Sequence, residues 1–189
     1  TTRQEGLSRL ISLLDSIDGS KVTLIGDTML DRYHHGFANN LNSTAPVPVL
    51  KILDSEESPG ASAHIAIGLT SFGMDVSFHT AIGNDAEASS ILTSLQSNDI
   101  DIENIIQVED RSTLTKIRFF ASRESLLDQR QILLQADRGP KETLDEAVSK
   151  SLTDSALTNI PDSCALVISD YDKGVVTTEG AQSLIEKAK

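Results

Sequence analysis

A single cysteine, Cys164, excludes an intramolecular disulfide and a cysteine-rich zinc site, and it points to a reducing cytoplasm. Because Cys164 stands just before the apolar run 165–168, it is expected to be a packed thiol rather than a nucleophile. Basic residues are also scarce. Sixteen Lys plus Arg against twenty-eight Asp plus Glu give a net charge of −12, which argues against nucleic acid or an anionic membrane as partner. Any anionic ligand must then be met by locally placed cations, a helix N-terminus or a metal. No apolar run approaches the roughly 18 to 20 residues of a membrane span, and the N-terminus lacks a basic-then-apolar signal pattern. The phosphate-loop, dinucleotide-fingerprint, nucleophile-elbow and H-E-x-x-H motifs are all missing. His34, His35, His64 and His79 have no ligand-like spacing with acids, so no metal site is expected.

What is present is one domain's worth of chain, 189 residues, or part of a larger domain. It begins Thr1-Thr2 without an initiator methionine, which points to a piece of a longer product. Residues 5–17 put Leu7, Leu10, Ile11, Leu14 and Ile17 on one helical stripe, predicting an amphipathic helix lying on something. Strands are predicted at 22–25, at 47–53 as an edge because of Pro48, at 76–82 and at 165–169. Helices are predicted at 61–72 with Gly73 as the stop, at 86–97, at 141–157, and at 178–188 with Thr177 as N-cap. Between them, Thr115 to Ala121 and Gln131 to Gln135 read as a hairpin with SRESLLDQR as a long tip. The alternation predicts an α/β fold with a mostly parallel central sheet flanked by helices, plus a small accessory sheet or lid. Ligands in such folds sit beyond the carboxyl ends of the strands, where Asp27, Asp31, Asp85 and Asp170 are expected.

Four stretches carry candidate chemistry, each with a plainer alternative. In Gly26-Asp27-Thr28-Met29-Leu30-Asp31 two carboxylates suit the hydroxyls of a sugar, or Asp27 merely forms a turn. Ser58-Pro59-Gly60-Ala61-Ser62-Ala63-His64 is a small-residue helix entry that admits a ligand to backbone amides, or simply packs tightly. In Thr115-Lys116-Ile117-Arg118 alternation puts two cations on one face, suited to phosphate or to solvent. Asp170 and Lys173 flank a turn, with the lysine aimed at a phosphoryl group or bound in a surface ion pair.

Taken together, GDTMLDRY (26–33), APVPVLKI (45–52), PGASAHIA (59–66), AIGNDAEASSIL (81–92), TLTKIRFF (113–120), LLQADRG (133–139) and ISDYDKGVVT (168–177) resemble the ribokinase (PfkB-type) sugar kinases. The likeness is greatest to the kinase domain of the heptose 7-phosphate kinase/ADP-heptose synthase group. It implies a ribokinase-like fold over 1–189 with lid strands near 45–53 and 113–137, a β-clasp that closes over the sugar and commonly forms a homodimer contact. It also implies that Asp31, with Asp27 nearby, meets sugar hydroxyls, that Gly60 lets the sugar approach, and that His64 replaces a contacting asparagine. Lys116, Arg118 and Asp137 would lie on the clasp, and Asp170 and Lys173 would face the cleft between sugar and nucleotide. ATP and Mg2+ are the implied co-substrates of the full-length enzyme, a sugar phosphate its substrate.

The resemblance places the D-T-x-G-A-G-D segment, with its anion hole and catalytic base, beyond residue 189. The expectation is therefore that these 189 residues alone are not an active kinase. The family's R-I-S-P-E-A-P-V-P reads Asn40 to Pro48 here, losing Arg and Glu, its Gly-Gly pair is Gly60-Ala61, and Gln135 replaces an arginine. These differences, with His64, favour an alternative: a kinase-like binding or assembly subunit without catalysis. A Rossmann-type nucleotide module is disfavoured because no glycine-rich fingerprint follows a strand.

Overall fold

A computed structural model describes residues 2–122 and 131–189. Residues 123–130, the tip of the predicted hairpin, lie outside the described residues. In chain order the elements are α1 (Arg3–Ile17), β1 (Lys21–Gly26), β2 (Thr28–Leu41), β3 (Pro48–Ala61), α2 (Ser62–Ser71), β4 (Asp75–Gly83), α3 (Ala86–Ser97), β5 (Ile105–Val108), β6 (Thr115–Ser122), β7 (Gln131–Arg138), α4 (Glu146–Asn159), β8 (Ala165–Ser169) and α5 (Thr178–Lys187). A 3-10 turn at Ile160–Asp162 follows α4.

Strands β1, β4, β5 and β8 form a parallel sheet in the order β5-β4-β1-β8. Period-two geometry sends alternate side chains to opposite faces. Leu24, Val76 and Phe78 therefore meet Ala63 and Ala66 of α2 and Ile91 and Leu95 of α3 on one side. Ile25 and Ala81 meet Leu152 and Ala156 of α4 and Leu184 of α5 on the other. This is the ribokinase-like α/β arrangement, helices on both faces of a parallel sheet. Strand β8 has one neighbour, so Leu166, Val167 and Ile168 are half-buried and Cys164 is exposed rather than packed.

The remaining strands form a second sheet in the order β3-β2-β6-β7. It is larger than the predicted accessory sheet, because β2 and β3 are each 14 residues long. Pro48 begins β3 at the sheet edge, as its missing N–H requires. Asp31 accordingly lies inside β2, not beyond a strand end as the sequence led us to expect. Helix α1 is well capped, with a reciprocal Thr2–Glu5 capping box, but it buries none of its residues. Leu7, Leu10 and Ile11 are about half exposed, and only the end of the predicted stripe, Leu14 and Ile17, is partly buried, with Leu14 beside Phe72 at the end of α2. Helix α4 starts at Glu146 with Asp145 as its cap, five residues later than the sequence reading, which frees Lys141 to Thr143 to line a cavity. None of the described helices is long and apolar enough to cross a membrane.

Candidate functional site

Strand register assembles the first part of the site. Asp31 pairs with Ser58 on β3 and with Lys116 on β6, and Lys116 pairs with Asp137 on β7. Asp31, Lys116 and Asp137 therefore form one row across the second sheet. Two residues further along, the next row on the same face is Tyr33, Arg118 and Gln135. Arg118 reaches back to Asp31 in a 2.6 Å ion pair, lies 5.3 Å from the centre of the Tyr33 ring and touches Gln135, which holds Asp137. The bond to Asp31, against a smaller burial cost, raises the pKa of Arg118. Gly60 is needed here because a Cβ would overlap Asp31 Oδ2. In this structure its bare backbone makes room for the carboxylate.

The second part is the loop between β8 and α5. Asp27 is 1% exposed, and its carboxylate accepts from the backbone amides of Tyr171 (2.8 Å), Lys173 (3.1 Å) and Val175 (3.2 Å). The Asp27 carboxylate, which the resemblance sets near the sugar, is here bonded to three of the chain's own amides. Arg111 donates to the carbonyls of Lys173 and Glu142. Burial lowers the pKa of Arg111 and the Asp27 charge opposes that shift.

Between these two parts lies a cavity of about 440 Å³. Met29 lines it from β2, Lys116 and Asp137 from the second sheet, and Asp172 and Lys173 from the β8–α5 loop. Arg111, Arg138 and Lys141 complete a cation-rich lining in a chain of net charge −12. The site thus brings together Lys116, Asp137 and Lys173, with Asp31 in the same row as Lys116 and Arg118 in the adjoining one. Asp170 caps the amide of Asp172 and makes no ion pair with Lys173. His64 is exposed in the first turn of α2 and hydrogen-bonds no described residue.

Helix α3 ties the second sheet to the core. Glu87, 7% exposed at its side chain, takes bonds from Arg32 (3.2 Å) and Arg138 (3.0 Å), and Arg32 also holds Glu57 (2.6 Å). Asp85 caps α3 at Ala88 and accepts from Thr113. Burial would raise its pKa, but the bonds from Thr113 and Ala88 and the Arg138 charge together lower it. Beneath the cleft, buried hydroxyls run in one direction. Ser62 donates to the Asp27 carbonyl and Thr80 to Thr28, so the proton between Thr28 and Ser62 belongs to Thr28. Ala61, at the entry to α2, has φ 53° and ψ −128°, a backbone state that only glycine adopts without strain.

Sequence reasoning missed Arg111, Arg138, Arg32 and Glu87. Their partners lie 25 to 62 residues away in sequence, so no local spacing marked them.

The profile of the pfkB family carbohydrate kinases matches residues 20–183. The chain belongs to that family. As a family member it is 34% identical over 172 residues to the bifunctional protein HldE of Actinobacillus pleuropneumoniae serotype 5b, covering 91% of this chain and 34% of that protein. It is 32% identical over 163 residues to the bifunctional protein HldE of Shewanella piezotolerans, covering 86% and 32%. The chain therefore spans about a third of the length of these curated relatives. Its fold is similar to phosphofructokinase-2 from Escherichia coli in complex with fructose-6-phosphate, with TM-score 0.63 and 19% identity over 90% of this chain and 51% of that one. It is likewise similar to Arabidopsis thaliana ribokinase complexed with ribose and ATP, with TM-score 0.61 and 12% identity over 89% and 51%.

Proposed function

We propose that this chain is the sugar-binding portion of an ATP-dependent carbohydrate kinase that takes a phosphorylated sugar, a heptose 7-phosphate or a close analogue. The observation that carries the reading is the meeting of Lys116, Asp137 and Lys173 at one cavity, with Asp31 in the same sheet row as Lys116. Carboxylates accept from sugar hydroxyls, and clustered Lys and Arg side chains neutralise a phosphate in an otherwise acidic protein. MgATP is the co-substrate in this reading. Among the described residues no cluster of three or more His, Cys, Asp or Glu side chains is arranged to hold a metal. The second sheet acts as the lid and as the homodimer contact, an assignment supported by exposed Val49, Ile52, Leu53, Ile132 and Leu134 on its outer strands. The protein works in the cytoplasm, which suits its one unpaired thiol.

The test is thermal shift of the full chain with a heptose 7-phosphate and with fructose 6-phosphate. Saturable stabilisation is expected, and the Lys116→Ala/Arg118→Ala pair should abolish it. No response to either sugar phosphate sinks the reading. A second reading, a kinase-like assembly subunit without catalysis, is favoured by strained Ala61 where the family carries glycine and by the Asp31 carboxylate being taken up by Arg118. Light scattering that finds a stable dimer, together with no sugar response, would select it.

A further inference from the structure

Asp27 and Arg111 hold Lys173 through the two peptide units that flank it, Asp27 at its amide and Arg111 at its carbonyl. The amides of Tyr171, Lys173 and Val175 all point at the Asp27 carboxylate. The residues between them, Asp172 at φ 59° and Gly174 at φ 98°, have left-handed backbones. Alternation of this kind turns every second amide to one side, a nest-like concavity that binds an anion, while the intervening Asp172 amide donates to Asp170. Here the anion is built in. Asp27 is itself immobile, since its amide donates to the Ser169 carbonyl and its own carbonyl accepts from both the amide and the hydroxyl of Ser62. On the far side, Arg111 binds the Lys173 carbonyl and Ser149 binds that of Gly174. Asp27 does not line the cavity, whereas Lys173 does.

We propose that Asp27 is a positioning residue which, with Arg111, clamps the Lys173 peptide so that the lysine ammonium stands at the cation-rich cavity. The assignment rests on reading that cavity as a phosphate site. The Asp27 carboxylate fixes the loop by accepting three amides at once. The Lys173 backbone is thereby set beside the cavity before any ligand arrives, so little of its main-chain freedom remains to be lost on binding.

Hydrogen exchange of the full chain, with and without Asp27→Asn, tests the clamp without any ligand. An asparagine would set an NH2 group against donors. Exchange at Tyr171, Lys173 and Val175 should rise at least about tenfold, while amides of β1 and β4 keep their protection. Unchanged exchange at those three amides overturns the clamp. Titration with inorganic phosphate then tests its purpose. Asp27→Asn and Lys173→Ala should each weaken binding to a similar extent, and the double variant should be no weaker than either. Additive losses would mean that Asp27 acts independently of Lys173, which overturns the assignment. If Asp27→Asn does not fold, Gly174→Ala perturbs the same nest from outside the carboxylate, and the same exchange pattern and phosphate loss are expected. Failure of the wild-type chain to bind phosphate would instead sink the phosphate-site reading, and exchange would still decide whether the clamp exists.

Discussion

The two sheets of this protein solve opposite problems. In the parallel sheet, five of the six residues of β1 are buried, and helices cover both faces. In the second sheet, β3 is exposed along most of its length and β7 nearly throughout. One sheet is held by apolar burial, the other by strand pairing and by the ion pairs that converge on Glu87. The side chains that meet at the cavity come mainly from the second sheet and from loops braced by the first. Stability and recognition are therefore drawn from different parts of the chain, as is common where binding loops ride on a rigid scaffold.

The contrast can be broken at its strongest point. Phe78→Ala, at a fully buried position of the core, should cost about 4 kcal/mol in chemical denaturation, whereas Leu53→Ala on the exposed strand β3 should change stability by less than about 0.5 kcal/mol. Similar losses at both positions would mean that the second sheet is covered in solution. Acid should reach the core next. His79 is buried in β4, and desolvation lowers its pKa to about 4 from 6.5. The unfolded chain then takes up a proton near pH 6.5 that the folded chain refuses until about pH 4. Stability is fully present above pH 6.5 and falls by about 3 kcal/mol as pH drops through that window. Denaturation curves of His79→Phe should lose this slope. The smallest effect sharpens the other side of the contrast. Glu87→Gln leaves Arg32 and Arg138 without their shared carboxylate and should cost about 1 to 2 kcal/mol, less at high salt, with the loss of protection concentrated in β2 and β7. A salt-independent loss spread over the whole chain would contradict this division of labour.

What the sequence made legible follows the same line. Strands of the parallel sheet are short apolar runs, and β1, β4 and β8 could be read almost to the residue. The body of β2 was not, because Asp31 to Leu41 carries charged and polar side chains on both faces and is stabilised by neighbours distant in sequence. The same holds for the polar half of β3, and β5 has only four residues. Lys116 and Lys173 were found by residue type and position, but their common cavity depends on chain folding between them. Asp27 looked like a ligand contact because its partners lie 144 to 148 residues away. Nothing local to GDTMLD announces that its first carboxylate is spent on the chain's own amides.

The one thiol of the chain, exposed at the mouth of β8, offers an experimental handle. A maleimide fluorophore would attach at a single known point, beside β8 at the edge of the parallel sheet. Its emission would report on whatever approaches that edge, while its anisotropy would report any association that slows the tumbling of the molecule, wherever the contact lies.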